Sequence, residues 1–453
     1  MQPLPKEFEE QMKRLLGEAG FFAYLDALNQ PYTRALRVNL LLRPGGTPPC
    51  PIEGLGAPVP WAKGAYFVEG DARPGLSPLH EGGLFYMQEP SALTAVTALD
   101  PQPGERVLDL CAAPGGKSTQ IAALMAGRGL LCCNEPIPSR AQILSRNIER
   151  MGVRNAVVLS AMPDALAPRF PAFFDRILVD APCSGEGMFR RQPEARDEWD
   201  ADAPRRCADR QMEILAQAAK MLRPGGTMVY STCTFNDTEN EGVLRRFLAL
   251  HPEFSLVPFA LPGLPEAKDG YLHLYPHEMR GEGHFVSRLK KADGADEADA
   301  PVQAAPQRKA PARAAAKGKA PAPIALPDVF SDAFAPERLY AAGDALWMLP
   351  EGISIERLSG LRVLRTGLLL AHAEGKRSEP DHALAMALRP EEAARTASLT
   401  QTQALAYQAG ETLSLGDLPG GYTLLCCEGV SLGWGKQAGG LMKNHYPKGL
   451  RRR

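Results

Sequence analysis

A chain of 453 residues exceeds what one hydrophobic core usually holds, and 45% apolar with 23% charged residues excludes a wholly disordered polymer, so two or three globular domains are expected. A formal net charge of -1 excludes a uniformly basic, polyanion-coating protein, although the average conceals local basic patches. No basic start followed by an apolar run and no membrane-length apolar stretch occurs, which reads as a cytoplasmic chain, not exported and with no membrane partner.

In chain order, residues 5–18 place Phe8, Met12, Leu15 and Leu16 on one helical face, a short helix that docks on something larger. Arg34 to Leu42 reads as a strand. The Pro- and Gly-rich sequence to about Pro78 reads as irregular loop. Ser91 is placed to cap a helix through Leu99. From Arg106 the pattern runs strand, glycine loop, helix, and repeats to Asp180: a βαβ series, hence a mostly parallel, doubly wound α/β sheet. The helix ending in Lys220-Met221-Leu222 is expected to stop at Arg223-Pro224-Gly225-Gly226, before the strand Met228 to Tyr230. The segments FSLVPF and GHFVSRLKK read as antiparallel edge strands. Residues 292–325, dominated by Ala, Pro, Lys and Arg, read as a disordered linker. Residues 326–453 follow as a smaller, β-rich region. Its last stretch interleaves Trp434 and Tyr446 with Lys436, Lys443, Lys448 and three terminal arginines, in the manner of nucleic-acid surfaces.

Nine cysteines, two pairs of them adjacent in apolar runs, argue against a disulfide framework, and no CxxC spacing supports a metal site. Two cysteines stand out. RILVDAPCSGEGMFRR carries a buried strand into Asp180-Ala181-Pro182-Cys183, and TMVYSTCTF carries another into Ser231-Thr232-Cys233, at the edge where open α/β sheets bind ligands. A buried cysteine is more often an inert core thiol; two of them at the ligand edge, one near Asp180, favour chemistry.

Asp109 to Lys117 follows a strand and opens a helix, so small residues let backbone amides approach a ligand at the helix's positive end. Glu135 ends the next strand, where an acid can hold ribose hydroxyls. Together they describe a pocket for an adenosine-bearing cofactor. A P-loop would need Gly where Cys111 stands. A cysteine, an acid and an adenosyl cofactor fit covalent catalysis on a pyrimidine: a thiolate adding at C6 makes C5 nucleophilic toward a methyl sulfonium.

The runs VLDLCAAPGGKSTQIA, RILVDAPCSGEGMFRR and YSTCTFNDTENE resemble the motifs of RNA 5-methylcytosine methyltransferases of the Sun/NOP2 family, and the tail KNHYPKGLR resembles its bacterial branch acting on 16S rRNA. The resemblance covers about residues 5–291 strongly and the remainder more loosely. It implies a Rossmann-like methyltransferase domain over 91–291, an α+β N-terminal RNA-binding extension over 1–90, and PUA-like RNA binding over 326–453. It implies Cys233 as nucleophile, Cys183 as the residue assisting product release, and Asp180 touching cofactor and cytosine. Cys111, Ala112, Ala113, Pro114, Gly115, Gly116, Lys117 and Glu135 would line S-adenosyl-L-methionine. Related proteins often carry Asn-Glu where Ser160-Ala161 stand, so Asp164 or Ser160 would supply the further contact. Arg34, Arg37 and Asn39, with Gln88, Glu89, Pro90 and Ser91, also match family positions, although Arg34 and Arg37 read equally as surface cations. Arg190 and Arg191, beside the cysteine loop, are better placed for phosphates, whereas Lys290 and Lys291 read as a solvated run.

The expected activity is methylation of cytosine C5 in 16S rRNA, on an unstacked base, with RNA or the small ribosomal subunit as partner, no metal, and a monomeric chain. The rivals are a tRNA or DNA cytosine methyltransferase, a non-catalytic RNA-binding scaffold and a P-loop ATPase.

Overall fold

The computed structural model describes residues 3–294, 329, 336–374 and 377–452. Nearly all of the expected linker, 292–325, therefore lies outside the described residues.

The N-terminal helix is longer than its periodicity indicated. It spans Lys6–Leu28, broken at Gly17 (φ 68°), and buries Phe8, Met12, Phe21, Tyr24 and Leu28, whereas Leu15 stays 39% exposed. Those aromatics share one core with Phe189 and Phe235, residues of the two cysteine loops, so this helix braces the functional edge. Four strands follow: β1 (Arg34–Val38), β2 (Leu55–Pro58), β3 (Ala65–Val68) and β4 (Phe85–Gln88), an antiparallel sheet in the order β2-β3-β1-β4. The stretch expected as loop thus holds two strands, because Tyr66, Phe67 and Val68 find partners in Arg34 to Leu36, a pairing invisible to local pattern. β1 ends at Val38, not Leu42: the Asn39 side chain accepts from Leu41 N and donates to Gly83 and Met151 carbonyls, turning the chain. Ser91 opens a 3-10 turn ahead of the helix Thr94–Leu99, and the cap is Glu89, whose carboxylate accepts from Ser91 N and Ala92 N.

The central sheet takes β5 (Arg106–Asp109), β6 (Leu130–Asn134), β7 (Ala156–Leu159), β8 (Phe174–Asp180), β9 (Leu222–Thr232), β10 (Phe254–Leu256), β11 (Tyr271–Leu274) and β12 (His284–Lys291). Its parallel part runs β9-β8-β5-β6-β7, a doubly wound order with the switch between β5 and β8. Alternation sorts the strand residues: Val107, Leu131, Cys133, Leu178 and Val229 enter the core on one face, while Leu108, Cys132, Ile177, Val179 and Tyr230 enter the other. Neighbouring Cys132 and Cys133 therefore serve as small apolar residues in opposite cores. The helix Ala203–Met221 hands directly to β9, so Arg223 to Gly226 lie within the strand rather than before it. Of the two expected edge strands only FSL stays at the edge; β12 is inside, antiparallel to β9, with β10 and β11 paired to it.

Beyond the linker come β13 (Leu339–Ala342), β14 (Ala345–Met348), β15 (Val363–Arg365), β16 (Leu368–Glu374), β17 (Arg377–Pro380), β18 (Thr396–Ser398), β19 (Gly421–Cys427), β20 (Val430–Ala438) and β21 (Leu441–Asn444). They form two four-stranded sheets, β13-β14-β16-β17 and β18-β19-β20-β21, and β15 pairs antiparallel with β7, completing the nine-stranded central sheet. The C-terminal region also shares a core with the N-terminal sheet, where Leu36, Val38 and Phe85 meet Tyr407, Leu425 and Tyr446. Trp434 and Tyr446 are 2% and 4% exposed, so the aromatics read as a nucleic-acid surface are interior: Trp434 lies in β20, buried over most of its length, and Tyr446 follows β21 and packs into the core shared with the N-terminal sheet. Among the described residues no helix is long and apolar enough to cross a membrane, and no cluster of three His, Cys, Asp or Glu could hold a metal ion.

Candidate active site

β8 and β9 run parallel with Asp180 opposite Ser231, so both chains leave the sheet side by side at its carboxyl edge. That register brings Cys183 and Cys233, distant in sequence, to an Sγ–Sγ separation of 3.2 Å, both half-buried free thiols, with Cys233 N donating to Cys183 Sγ at 3.3 Å. The hydrogen bond to Cys233 and burial push the Cys183 thiol above its ordinary value.

Lys117 and Asp180 form the second half of the site. Lys117 Nζ lies 2.7 Å from Asp180 Oδ2, and Ser231 Oγ donates to Asp180 Oδ1 at 2.8 Å. Burial alone would raise the Asp180 carboxyl, but the Lys117 ammonium and the nearby His284 outweigh it and hold the group well below the usual carboxylate range. Burial likewise opposes the Lys117 charge, and Asp180 with the Cys233 sulfur holds it in place. A cation therefore faces both a carboxylate and the sulfur of Cys233.

The glycine loop sits across from these groups. Leu110 N donates to Leu178 O and Ala112 N to Asn134 O, tying the loop to its neighbouring strands. Half-buried Cys111 and Ala113, buried Ala112 and exposed Pro114 lead to Gly115 (φ 112°), which caps the helix Gly116–Leu124 carrying Lys117. A side chain at Gly115 would be strained by that φ and would meet Leu144 at 3.1 Å. Asp109 is fully buried, accepts from Ser118 Oγ at 2.6 Å, and has no donor to its Oδ1 among the described residues; burial raises its carboxyl to about 7. Glu135, 2% exposed, accepts from Ile137 N at 3.0 Å. Ser160 is buried and donates to Pro136 O at 3.3 Å, next to Glu135, whereas Asp164 is exposed on the first turn of the helix Pro163–Leu166.

Several residues that organise the site had no role assigned from the sequence, Glu186 and Glu239 among them although they lie inside the motifs quoted above. Asn134 donates to Leu110 and Ala161 carbonyls and accepts from Ala161 N, clamping the loops after β5 and β7. Buried Glu239 accepts from Ser184 N and Oγ, Asn236 Nδ2 and Gln211 Nε2, holding the cysteine loop after β8. Buried Glu186 accepts from Phe235 N at 2.8 Å and Asn236 N at 3.1 Å, holding the loop after β9. The motif NDTENE is thus a clamp, and only its Asn/Glu density hinted at it.

The arginines sort differently from expectation. Arg37 is 1% exposed and donates to Gly116 O and Thr119 Oγ1, a brace under the glycine loop rather than a surface cation. Arg34 donates to Ala72 and Gly70 carbonyls. Arg190, expected to meet phosphate, is consumed by a buried pair with Glu282 at 2.6 Å and by the Ala27 carbonyl at 2.7 Å, while Arg191 is exposed. Lys291 is not a solvated cation either: its Nζ donates to Ala219 and Leu222 carbonyls at 2.9 Å.

Four family models match the chain: the N-terminal domain of 16S rRNA methyltransferase RsmF over 4–90, 16S rRNA methyltransferase RsmB/F over 96–290, the RsmF rRNA methyltransferase first C-terminal domain over 327–388, and the methyltransferase RsmF PUA domain over 394–452. The region after 326 is thereby matched by two models. Ribosomal RNA small subunit methyltransferase F of Erwinia tasmaniensis is 34% identical over 98% of this chain and 96% of its own. A solved methyltransferase homolog from Pyrococcus horikoshii is 30% identical, with a TM-score of 0.54 over 63% of this chain and 95% of that one. NSun6 from the same organism, solved with SFG, shares the fold at 23% identity, with a TM-score of 0.56 over 64% of this chain and 99% of that one.

Proposed function

Since the chain belongs to the ribosomal RNA small subunit methyltransferase F family, and is therefore an RNA methyltransferase acting on 16S rRNA, we propose that Cys233 performs covalent catalysis of cytosine C5 methylation with Cys183 as its partner. The supporting observation is the pair of sulfurs 3.2 Å apart, next to a lysine-aspartate pair, at the carboxyl edge of the sheet. Cys233, with the Lys117 ammonium nearby, adds as thiolate to C6 of the unstacked base. Asp180, kept ionised, accepts from the exocyclic amino group of cytosine, and Lys117 balances the charge that the addition drives into the ring. After methyl transfer a base takes the C5 proton, the electron pair re-forms the C5–C6 double bond and the Cys233–C6 bond breaks; Cys183, 3.2 Å from the departing sulfur, assists that release.

S-adenosyl-L-methionine is the proposed donor, and the residues present fit it: the acceptor Asp109 Oδ1 is buried with no donor among the described residues, Glu135 directly follows β6, and the Gly115 turn opens a helix N-terminus. Cys111, Ala112, Ala113, Pro114, Gly115, Gly116, Lys117, Glu135 and Asp180 would hold it, with Ser160 or Asp164 as the further contact. When bound, it supplies an electrophilic methyl group on sulfur. The terminal regions, 1–90 and 326–453, bind RNA and set register for a monomeric cytoplasmic enzyme whose partner is 16S rRNA or the small ribosomal subunit.

The test is transfer of labelled methyl from S-adenosyl-L-methionine to 16S rRNA or small subunits, with bisulfite sequencing of rRNA and tRNA from a strain lacking the gene. Loss of 5-methylcytosine signal in 16S rRNA is expected, at one cytosine or more. Label confined to tRNA, or binding without transfer, would reject this reading.

A further inference from the structure

β12 opens on a histidine that this chemistry leaves unused. His284 is 3% exposed, and the pairing of Phe285 with Thr232 sets it beside the end of β9, where Cys233 leaves the strand. Its Nε2 lies 3.6 Å from Asp180 Oδ1, outside hydrogen-bond reach, and has no hydrogen-bond partner among the described residues. A buried ring nitrogen left unpaired is costly and calls for a reason. The surrounding chain enforces the placement. Gly283 (φ 107°) presses against Phe235, where a Cβ would approach the ring to 2.5 Å, and Glu282 is fixed by Arg190, by Thr33 N at 2.9 Å and through its own N–H to Glu89 at 2.9 Å.

Asp180 has one oxygen on Lys117 and the other on Ser231, with room at Oδ1 for a further donor. We infer that His284 is a positioning residue for Asp180: as the carboxylate turns to the amino group of cytosine, Oδ1 closes on the Nε2–H of the neutral imidazole, which then holds the carboxylate in orientation. The inference rests on the reading of Asp180 as the cytosine contact. The charged groups facing His284 are Lys117 from the helix after the glycine loop, Asp180 at the end of β8 and Glu89 after β4; burial and Lys117 favour its neutral form. In acid the imidazolium would pair with Asp180 outright and withdraw it from the base, so protonation of His284 costs activity.

The experiment measures kcat and KM for RNA against pH with the full chain as wild type, H284F and H284Q. H284F lowers kcat about tenfold or more, the worth of one hydrogen bond to a charged group, with KM for RNA unchanged. H284Q keeps a donor that does not titrate, so it recovers most of kcat and its acid limb moves to lower pH. Wild-type kcat in H284F, or an unmoved acid limb in H284Q, overturns the inference; if H284F melts below the wild type, the H284Q acid limb alone decides. Absence of transfer by the wild-type chain instead overturns the reading of the site beneath it.

Discussion

Lys117 Nζ stands 2.7 Å from Asp180 Oδ2, joining the helix after β5 to the end of β8, with the Cys233 sulfur near enough to favour the Lys117 charge. K117M should reduce methyl transfer by about two orders of magnitude or more, since the charge that balances the ring during thiolate addition is gone. It should also cost about 2 kcal/mol of stability, less than a fully buried pair because Asp180 is 28% exposed. The folded-state value of Asp180 is depressed, so this contribution is fully present above the unfolded value near pH 4 and is lost progressively as pH falls from there through the depressed folded-state value. Thermal melts of the two proteins should therefore differ at neutral pH and converge in acid.

The two sulfurs make separable predictions. C183A should accumulate a protein–RNA adduct stable to denaturing electrophoresis, because the step that releases the product is impaired, and C233A should form none and transfer no methyl. An adduct in C233A alone would reverse the roles.

Glu239 takes four donors and presents no donor of its own when ionised. E239Q, nearly isosteric, turns an NH2 group toward those donors and should destabilise by roughly 2 kcal/mol, with E239A costing more. Both should slow product release and raise the standing level of adduct, as the loop holding Cys183 loosens; melting curves with adduct yields at steady state test it. A neutral E239Q would mean that the carboxyl is protonated in the native state.

Asp109 runs opposite to Asp180. Its folded-state value is raised to about 7 from an unfolded value near 4, so the protonated form stabilises the fold, and that contribution is lost as pH rises from about 4 to about 7. D109N should flatten this component of the stability curve while the rest is retained. Parallel pH slopes in the two proteins would reject a raised Asp109.

Arg190 separates two roles directly. As the partner of Glu282, with side chains 8% and 2% exposed, it should cost about 3 kcal/mol or more when replaced by Ala, through an unpaired buried carboxylate. As a phosphate contact it would lower the salt slope of RNA binding by about 1. The expected outcome is a lower melting temperature for R190A with an unchanged salt slope in the fraction that folds.

The catalytic half of this protein was readable because strand and chemistry are adjacent in sequence. β8 ends in Asp180 and Cys183, β9 in Cys233 and β5 in the glycine loop, and a parallel sheet puts all three ends at one edge. Composition and spacing thus determined the fold class, and the likeness of its motifs determined the reaction and the members proposed for its site. Tertiary structure alone decided which polar residues serve that site and which serve packing. Glu239, Glu186, Asn134 and His284 gained their places from partners far along the chain, and Arg37, Arg190, Trp434 and Tyr446 were drawn inside by them. The same holds for β15, which closes the central sheet from the far side of the linker. Burial and pairing depend on what the folded chain brings alongside, and no local periodicity encodes that.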